Sequence, residues 1–302
     1  MQTSVCEKFV LPSYGKINWF LKIGETLPDG YHRIESLMQR IAFGDEIEVS
    51  LGERDCITCN FPIPTGEDSI LGKLLTELRK IAPSLREVGF NIKIKKNIPL
   101  GSGLGGGSSN VASILQLINS VFKLDLSWEE TKAIAIRIGS DIPFFARGTP
   151  FARVGGRGEE VEPLFFAPRR SLILLFPPLS ISSAWAYQCW EEKKREIRRN
   201  KKPEIALEEF LKTKNPEIIE EIIWNDFEEV IFQCFPVLAS YQRLLLELGC
   251  KKVFMSGSGS TLVGVVESEE EGEKIVKEIS SSGVRVVLTS TWGKEEGGRN
   301  YG

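Results

Sequence analysis

The chain has 302 residues, which is long enough for a sizeable hydrophobic core and for two domains. Its hydrophobic content of 42% and charged content of 26% are typical of a globular protein, and a net charge of −3 argues against electrostatic capture of nucleic acid. No apolar run approaches the roughly 18 residues that span a membrane, and residues 1–9 lack an apolar signal core, so we expect a cytoplasmic protein without membrane partners.

The first predicted strand covers residues 13–23, where apolar and polar side chains alternate. Lys16 and Asn18 share the polar face, and the pattern alone favours a solvent-exposed lysine. The Asp-Gly pair at residues 29–30 indicates a turn after this strand.

Residues 33–40 are predicted as a short helix or strand, residues 45–51 as a strand and residues 68–81 as a helix. Cys56 and Cys59 form a Cys-x-x-Cys pair within a further predicted strand. A zinc site would need more ligands, but the chain has no second such pair and a single histidine. Six cysteines in a chain of this length do not indicate a disulfide scaffold either. A metal or redox role for the pair is therefore not favoured.

A glycine-rich run occupies residues 99–110, between a predicted strand over 90–98 and an amphipathic helix over 111–122. Glycines lack Cβ, so their N–H groups can approach a ligand closely. A helix that starts at Ser108 or Ser109 would direct unpaired N–H groups and the positive end of its dipole into this loop. The sequence therefore predicts a phosphate-binding loop.

Other interpretations of the glycine-rich run fit less well. A Walker loop requires lysine where Gly107 stands, and a protein-kinase loop requires Asp-Phe-Gly and His-Arg-Asp sequences that the chain lacks. Gly101, Gly103 and Gly106 have the spacing of a dinucleotide-binding fingerprint, and Asp125 follows at about the required distance. That acid should end a second apolar strand, and the stretch before it is too short and polar for one. A flexible linker is disfavoured because the run opens an amphipathic helix.

A capping box at residues 127–130 begins the last helix predicted in the first half of the chain, which ends at Gly139. The turn-rich residues 155–158 are the predicted domain boundary, and the order of elements beyond it indicates an α+β sandwich. Residues 191–202 are interpreted as a solvated helix and loop, and residues 293–302 as a disordered tail. The predicted elements are a strand over 171–176, helices over 183–199, 205–212, 216–226 and 237–248, strands over 253–255 and 262–266, a helix from 268 and a strand over 284–288.

The glycine-rich run resembles the second motif of the GHMP kinase superfamily, Pro-x-x-x-Gly-Leu-Gly-(Gly)-Ser-Ser. On that resemblance the loop wraps the triphosphate of ATP, and either Ser108 or Ser109 helps to hold Mg²⁺. The ATP-binding residues that the resemblance implies are Pro99, Gly101, Gly103, Leu104, Gly105, Gly106, Gly107, Ser108 and Ser109.

The first predicted strand and its turn resemble the first motif of one branch of this superfamily, whose members phosphorylate 4-diphosphocytidyl-2-C-methyl-D-erythritol. Lys16 and Asn18 match the branch, as does the Asp-Gly-Tyr-His element that contains Tyr31 and His32. The usual flanking Pro-Ala pair and leucine are replaced by Tyr-Gly and Trp. The resemblance implies that Asn18, Tyr31 and His32 bind the acceptor, with Tyr31 stacked on cytosine and His32 hydrogen-bonded to it. Without it, a lone histidine is more often structural.

Residues 139–145 resemble the family sequence Gly-Ala/Ser-Asp-(Val/Ile)-Pro-Phe-Phe, whose aspartate is the proposed catalytic base. Without the resemblance, Asp141 would be interpreted as a turn residue. With it, Asp141 accepts the proton of the acceptor hydroxyl, while Lys16 stabilises charge and orients the nucleophile. Lys16 and Asp141 are therefore the predicted catalytic pair.

A second loop of small residues, over 256–261, lies between two predicted strands. The pattern alone describes a glycine-rich hairpin turn, whereas a resemblance to the third family motif implies that the loop closes against the first two motifs. Residues 225–228 also match a family sequence, Asn-Asp-Leu-Glu, but indicate no chemistry. The third-motif residues are Ser256, Gly257, Ser258 and Gly259.

The resemblance implies an α+β fold of two GHMP kinase-like domains with the active site between them. Residues 1–155 would form an N-terminal α+β domain with the ATP loop, and residues 156–302 a C-terminal ferredoxin-like α/β sandwich. The implied activity is ATP-dependent, Mg²⁺-assisted phosphorylation of the 2-hydroxyl of 4-diphosphocytidyl-2-C-methyl-D-erythritol, a step of non-mevalonate isoprenoid precursor synthesis. A mevalonate- or sugar-type GHMP kinase, which lacks the Tyr-His element, and a non-catalytic ligand sensor are the alternatives. The sequence indicates no oligomeric state.

Overall fold

Two β-sheets form the framework in the computed structural model, which describes residues 8–194, 202–280 and 283–292. In chain order the strands are β1 (Lys8–Thr26), β2 (His32–Gly52), β3 (Cys56–Cys59), β4 (Gly89–Lys95), β5 (Phe151–Gly155), β6 (Glu160–Pro163), β7 (Ser171–Phe176), β8 (Trp224–Asn225), β9 (Lys252–Met255), β10 (Leu262–Val266) and β11 (Arg285–Ser290). The α-helices are α1 (Ile70–Ile81), α2 (Gly106–Val121), α3 (Trp128–Ile138), α4 (Ile142–Ala146), α5 (Ser183–Lys193), α6 (Pro203–Thr213), α7 (Asp226–Cys234), α8 (Pro236–Glu247) and α9 (Glu269–Ser280). None of the helices in the described ranges is long and apolar enough to cross a membrane.

The first sheet has the strand order β3-β4-β2-β1-β8, with the β5–β6 hairpin attached to β2. The two segments predicted after the Asp-Gly turn form one continuous strand, β2, which pairs with β1 in antiparallel fashion. The register shifts between Tyr14 and Lys16 and again between Asn18 and Phe20. Because these bulges interrupt the alternation and both faces of β1 are covered, Lys16 is only 3% exposed. The solvent-exposed lysine that the pattern favoured is therefore wrong.

Helices α1 to α4 form a connected group that contacts the first sheet. The predicted capping box is present, because the Ser127 hydroxyl accepts the N–H of Glu130 while the Glu130 side chain accepts the N–H of Ser127. Helix α2 begins at Gly106, earlier than predicted, where Gly105 supplies an N-cap in the left-handed conformation with φ of +68°. The two predicted magnesium-binding serines consequently lie within the first turn of α2.

The second sheet is antiparallel, with the order β11-β7-β10-β9, and α8 and α9 pack on its strands. This is the strand order of a ferredoxin-like sandwich, which confirms the predicted fold class. The helix predicted over 216–226 is wrong, because a 3-10 turn over Pro216–Glu221 is followed by β8, and α7 begins only at Asp226. Asn225 accounts for the break, since its side chain caps α7 by accepting the N–H of Phe227.

The two halves of the chain are joined through shared structure. The turn at residues 155–158 lies inside the β5–β6 hairpin, and β6 still belongs to the first sheet, so the strands change sheets between Pro163 and Ser171. Strand β8 pairs in parallel with β1, which adds the second half of the chain to the first sheet. The division into domains over 1–155 and 156–302 stays a prediction.

A buried hydrophobic cluster links the two sheets. Trp19 of β1 contacts Phe254 of β9 with ring centroids 5.4 Å apart, and Leu172 of β7 belongs to the same cluster. The glycine-rich run contributes Leu104, which is fully buried there. This core fixes the glycine-rich run between the sheets.

Some sequence predictions concern features away from these contacts. Cys56 and Cys59 lie in β3 as predicted, and the described residues contain no cluster of three metal-ligating side chains. The charged segment continues α5 as far as Lys193, but its residues 195–201 and the predicted tail over 293–302 lie outside the described residues.

Candidate active site

The three sequence motifs line one cleft, which has a volume of about 880 Å³. Strand β1 and its turn contribute one side, the glycine-rich run and the start of α2 a second, and the loop between β9 and β10 a third. Helix α5 and the two residues before α4 also contribute to the lining. The predicted residues in this lining are Lys16, Asn18, Tyr31, His32, Pro99, Gly101, Gly103, Gly105, Gly106, Gly107, Ser108, Asp141, Gly257 and Ser258.

Lys16 and Asp141, which are distant in sequence, face each other in the cleft. The Lys16 Nζ donates hydrogen bonds to Asn18 Oδ1 at 2.6 Å and to the Gly103 carbonyl at 2.8 Å, and lies 3.5 Å from Asp141 Oδ2. Asp141 precedes α4, but its carboxylate makes no capping bond there and remains 30% exposed toward the cleft. The arrangement places a carboxylate where it can accept a proton, beside a cation that is held in place.

The glycine-rich run crosses the cleft in a tightly curved path. Gly101, Gly103 and Gly105 all have φ between +61° and +78°, a conformation that disfavours side chains. The Leu104 carbonyl accepts the N–H of Lys16 at 2.9 Å, while its side chain points into the shared core. Leu104 therefore anchors the loop instead of lining the cleft, which corrects its predicted place among the cleft residues.

The two candidate serines differ in environment. The Ser109 hydroxyl donates to the Tyr14 carbonyl at 2.7 Å, accepts from the Ser13 hydroxyl at 2.8 Å, and is buried outside the cleft lining. Ser108 lines the cleft in the first turn of α2. Of the pair, Ser108 alone is part of the cleft lining.

The third-motif loop is hydrogen-bonded to the glycine-rich run. The Ser256 hydroxyl donates to the Gly103 carbonyl at 3.1 Å, and the Thr261 N–H donates to the Ser102 carbonyl at 3.2 Å. Gly257 and Ser258 line the cleft, whereas Ser256 and Gly259 are buried next to it and do not belong to the lining. The loop is thus part of the site and more than a hairpin turn.

The opposite end of the cleft is aromatic. Tyr31 is 52% exposed, and the guanidinium of Arg157 lies 4.5 Å from its ring centroid. Arg157 also pairs with Asp29 at 2.6 Å, and its hydrogen bond holds the pKa of that carboxyl below its usual value. One ring face of Tyr31 is therefore occupied by a cation that is itself fixed in position.

The His32 side chain is buried among aromatic rings at this end of the cleft. Its ring stacks on Tyr187 of α5 at 5.1 Å with an interplanar angle of 5°, and meets the edge of Trp190. Its Nε2 lies 3.5 Å from Glu191, and its Nδ1 is covered without a partner. Burial, and after it the charge of Asp141, raises the pKa of the Tyr187 hydroxyl, which keeps that group a neutral hydrogen-bond donor in the cleft.

Sequence reasoning missed several cleft residues, among them the polar or charged Tyr187, Arg157 and Lys96. Tyr187 and Arg157 are described above. The buried ammonium of Lys96 pairs with Asp45 and lies 3.2 Å from Asn110 Oδ1. A Cβ on Gly106 would come within 2.9 Å of this ammonium, so Lys96 lies next to the N-terminus of α2. Its position directly before the glycine-rich run was the available signal.

The fold and this cleft define the GHMP kinase class, and two models of that class match the chain. The model for the GHMP kinases N terminal domain covers residues 70–149, and the model for the GHMP kinases C terminal covers residues 206–285. A solved homoserine kinase from Cytophaga hutchinsonii shares the fold at 14% identity, with a TM-score of 0.67 over 97% of each chain.

Closer relatives narrow the class to one family. The 4-diphosphocytidyl-2-C-methyl-D-erythritol kinase of Desulfitobacterium hafniense is 34% identical, over 96% of this chain and 97% of the relative. The enzyme of the same name from Citrifermentans bemidjiense is 33% identical, over 91% and 96% respectively. A crystal structure of 4-(cytidine 5'-diphospho)-2C-methyl-D-erythritol kinase matches with a TM-score of 0.75 and 25% identity, over 94% of this chain and all of the other. The chain belongs to the 4-diphosphocytidyl-2-C-methyl-D-erythritol kinase family.

Proposed function

We propose that the protein transfers the terminal phosphate of ATP to the 2-hydroxyl of 4-diphosphocytidyl-2-C-methyl-D-erythritol, a step of non-mevalonate isoprenoid precursor synthesis. The observation that carries the proposal is the meeting of Lys16, Asp141 and the glycine-rich run in one cleft, in a chain about one-third identical to kinases of that name. A cytoplasmic location, where ATP is available, and the absence of nucleic-acid and membrane partners belong to the same proposal.

The roles follow from the positions of the groups. The N–H groups at the start of α2 and the positive end of its dipole suit the phosphates of ATP. Asp141 accepts the proton of the acceptor hydroxyl, and the Lys16 ammonium stabilises the charge that develops on the transferred group. Most of the acceleration in phosphoryl transfer comes from such positioning and electrostatic stabilisation.

The donors in the cleft fit Mg²⁺, which takes oxygen ligands and usually needs only one or two from protein when phosphates supply the rest. Ser108, in the first turn of α2, lines the cleft beside the positive end of the helix dipole. Its hydroxyl would hold the ion, which when bound would neutralise phosphate charge, and Asp141 is kept for the acceptor proton.

Replacing Ser108 with alanine is expected to raise the Mg²⁺ concentration needed for half-maximal activity by roughly tenfold. A loss of metal affinity of about this size is typical when a residue around a metal site is mutated. Ser109→Ala is the matched control, because that hydroxyl bonds to Tyr14 and Ser13 instead of facing the cleft. It should lower the melting temperature and leave the Mg²⁺ dependence unchanged. Magnesium titrations of activity decide the matter, and an equal dependence in both variants would remove Ser108 from the metal site.

The aromatic end of the cleft is assigned to the cytosine base. Tyr31→Ala should raise KM for the diphosphocytidyl acceptor while KM for ATP stays within about twofold, because base stacking on an aromatic ring is worth roughly 1–3 kcal/mol. Tyr31→Phe keeps the ring and should keep the KM. His32→Ala should act in the same direction, since it removes the surface on which Tyr187 stacks. Steady-state kinetics with each substrate varied in turn test this, and equal increases in both KM values would make these residues structural.

Two other functions are distinguished by one assay. ADP release is measured with diphosphocytidyl, mevalonate and sugar acceptors in parallel, and the proposal expects turnover with the first only. Turnover with mevalonate or a sugar would indicate a different GHMP kinase. ATP binding without turnover of any acceptor would indicate a ligand sensor.

A further inference from the structure

Two side chains of the segment Asn225-Asp226-Phe227-Glu228 form hydrogen bonds with the backbone at the start of the third-motif loop. The Asn225 side-chain amide donates two hydrogen bonds, to the Met255 carbonyl at 2.7 Å and to the Gly257 carbonyl at 2.8 Å. Its side-chain oxygen is used separately, because it accepts the N–H of Phe227 at 3.0 Å and so caps α7. One side chain therefore starts a helix with its acceptor and holds a loop with its donor.

Glu228, one turn along α7, also binds the backbone of Met255, directly before the third-motif loop. Its carboxylate accepts the N–H of Met255 at 2.8 Å and the side-chain amide of Gln242 at 3.1 Å. The peptide groups on both sides of Met255 are thus fixed by α7, directly before the loop turns into the cleft.

The third-motif loop and the proposed catalytic lysine share a hydrogen-bond acceptor. The Gly103 carbonyl accepts two hydrogen bonds, one from the Ser256 hydroxyl at 3.1 Å and one from Lys16 Nζ at 2.8 Å. A Cβ on Gly257 would lie 3.1 Å from that Nζ and 2.9 Å from the Gly103 carbonyl oxygen. The position of the loop is therefore tied to that of the lysine by their shared acceptor, and there is no room for a side chain at Gly257 between them.

We propose that Asn225 is a positioning residue for phosphoryl transfer, which acts through the third-motif loop on Gly103 and Lys16. The inference rests on the proposed function for its chemistry. Asn225 acts through the loop, so its contribution lies in the placement of the ammonium and of the phosphate-binding loop.

Asn225→Asp separates the two uses of the side chain. Aspartate is as good an N-cap as asparagine, so the start of α7 is retained. The donor is lost, and a carboxylate oxygen faces two carbonyl oxygens instead. We expect kcat to fall by about tenfold to a hundredfold, the loss that small misplacements cause, with KM for the acceptor within about twofold. If this variant folds poorly, Asn225→Ser, which also keeps the cap, replaces it.

Asp226→Asn is the control within the same segment. The Asp226 carboxylate accepts the N–H of Ile23 at 2.7 Å and the indole N–H of Trp224 at 2.7 Å, which are bonds to β1 and to β8. This variant should lower the melting temperature while kcat of the folded enzyme stays unchanged. A loss of kcat that merely follows the melting temperature in both variants would overturn the positioning role.

ATP affinity by calorimetry gives a readout that does not depend on the acceptor. Asn225→Asp should weaken ATP binding by about fivefold or more, because the two hydrogen bonds that hold the loop against the glycine-rich run are lost, while Asp226→Asn leaves it within about twofold. Equal affinities would overturn the inference whichever acceptor the enzyme uses. Failure of the wild type to phosphorylate the diphosphocytidyl acceptor would instead remove the proposed function, and the affinity comparison would still decide the role of Asn225.

Discussion

Replacing Asp141 with asparagine is expected to lower kcat by on the order of 10² or more while the protein stays folded, because the general base is lost. The carboxylate makes no capping bond and is partly exposed, so the variant should fold, with a modest loss of stability because the buried Lys16 ammonium loses its charged neighbour at 3.5 Å. Steady-state kcat and the melting temperature of the variant test both statements. Asp125→Asn is the matched control, since Asp125 is exposed in a loop with positive φ, which asparagine also tolerates.

Lys16→Met should reduce kcat by a similar factor, but it should also cost stability. The ammonium is buried and donates to Asn18 Oδ1 and to the Gly103 carbonyl. Its removal leaves Asn18 Oδ1 without that donor, at roughly 1–3 kcal/mol for a buried group, while the Gly103 carbonyl keeps its bond from the Ser256 hydroxyl. Near-wild-type turnover in either the Asp141 or the Lys16 variant would contradict the assignment of the catalytic pair.

Gly105→Ala is expected to weaken ATP binding by about tenfold or more and to lower the melting temperature. The residue has φ of +68°, and a Cβ there would lie 2.9 Å from the Phe145 ring and 3.3 Å from Lys16 Cε. From the sequence alone we would expect a substitution here to affect the nucleotide and leave stability almost unchanged. The structure corrects that expectation, because the added carbon meets protein atoms as well as the phosphate site.

Gly148→Ala separates backbone strain from loss of the site. Gly148 has φ of +74°, its nearest atom to an added Cβ is 4.0 Å away, and it does not line the cleft. Both variants should lose about 1 kcal/mol from the left-handed backbone alone. Calorimetry should find weaker ATP binding only for Gly105→Ala, and unchanged affinity there would exclude the loop from the nucleotide site.

Local signals were sufficient for much of the fold. The capping box at Ser127, the glycine-rich run and the four strands of the second sheet were all predictable, because caps, turns and apolar runs depend on near neighbours in sequence. The ferredoxin-like arrangement of those strands was implied by the resemblance alone. The break at Asn225 was missed because an apolar periodicity runs across it, whereas a single side-chain cap decides where α7 starts.

The site was predictable in its residues and less so in its geometry. Resemblance placed Lys16 and Asp141 in one site, but the burial of Lys16 depends on bulges in β1 that no local pattern marks. The resemblance grouped Leu104 with the nucleotide because it belongs to the Gly-Leu-Gly motif, yet its apolar side chain packs in the core between the sheets. Tyr187 belongs to a helix whose pattern gave no reason to place it against His32.

The hydrophobic cluster shared by β1, β7 and β9 has a dynamic consequence. Trp19, Leu172 and Phe254 belong to one buried cluster that both sheets share. Moving the sheets apart would expose this cluster to water, which is unfavourable. A rigid-body opening of the cleft, in which the two sheets move apart, would therefore cost free energy. The freedom to admit one substrate and release another belongs to the margins of the cleft, where the β1–β2 turn carries an exposed Tyr31 and α5 carries the ring that covers His32. Exchange of ligands is then a matter of side chains and loop edges moving around a stationary lysine.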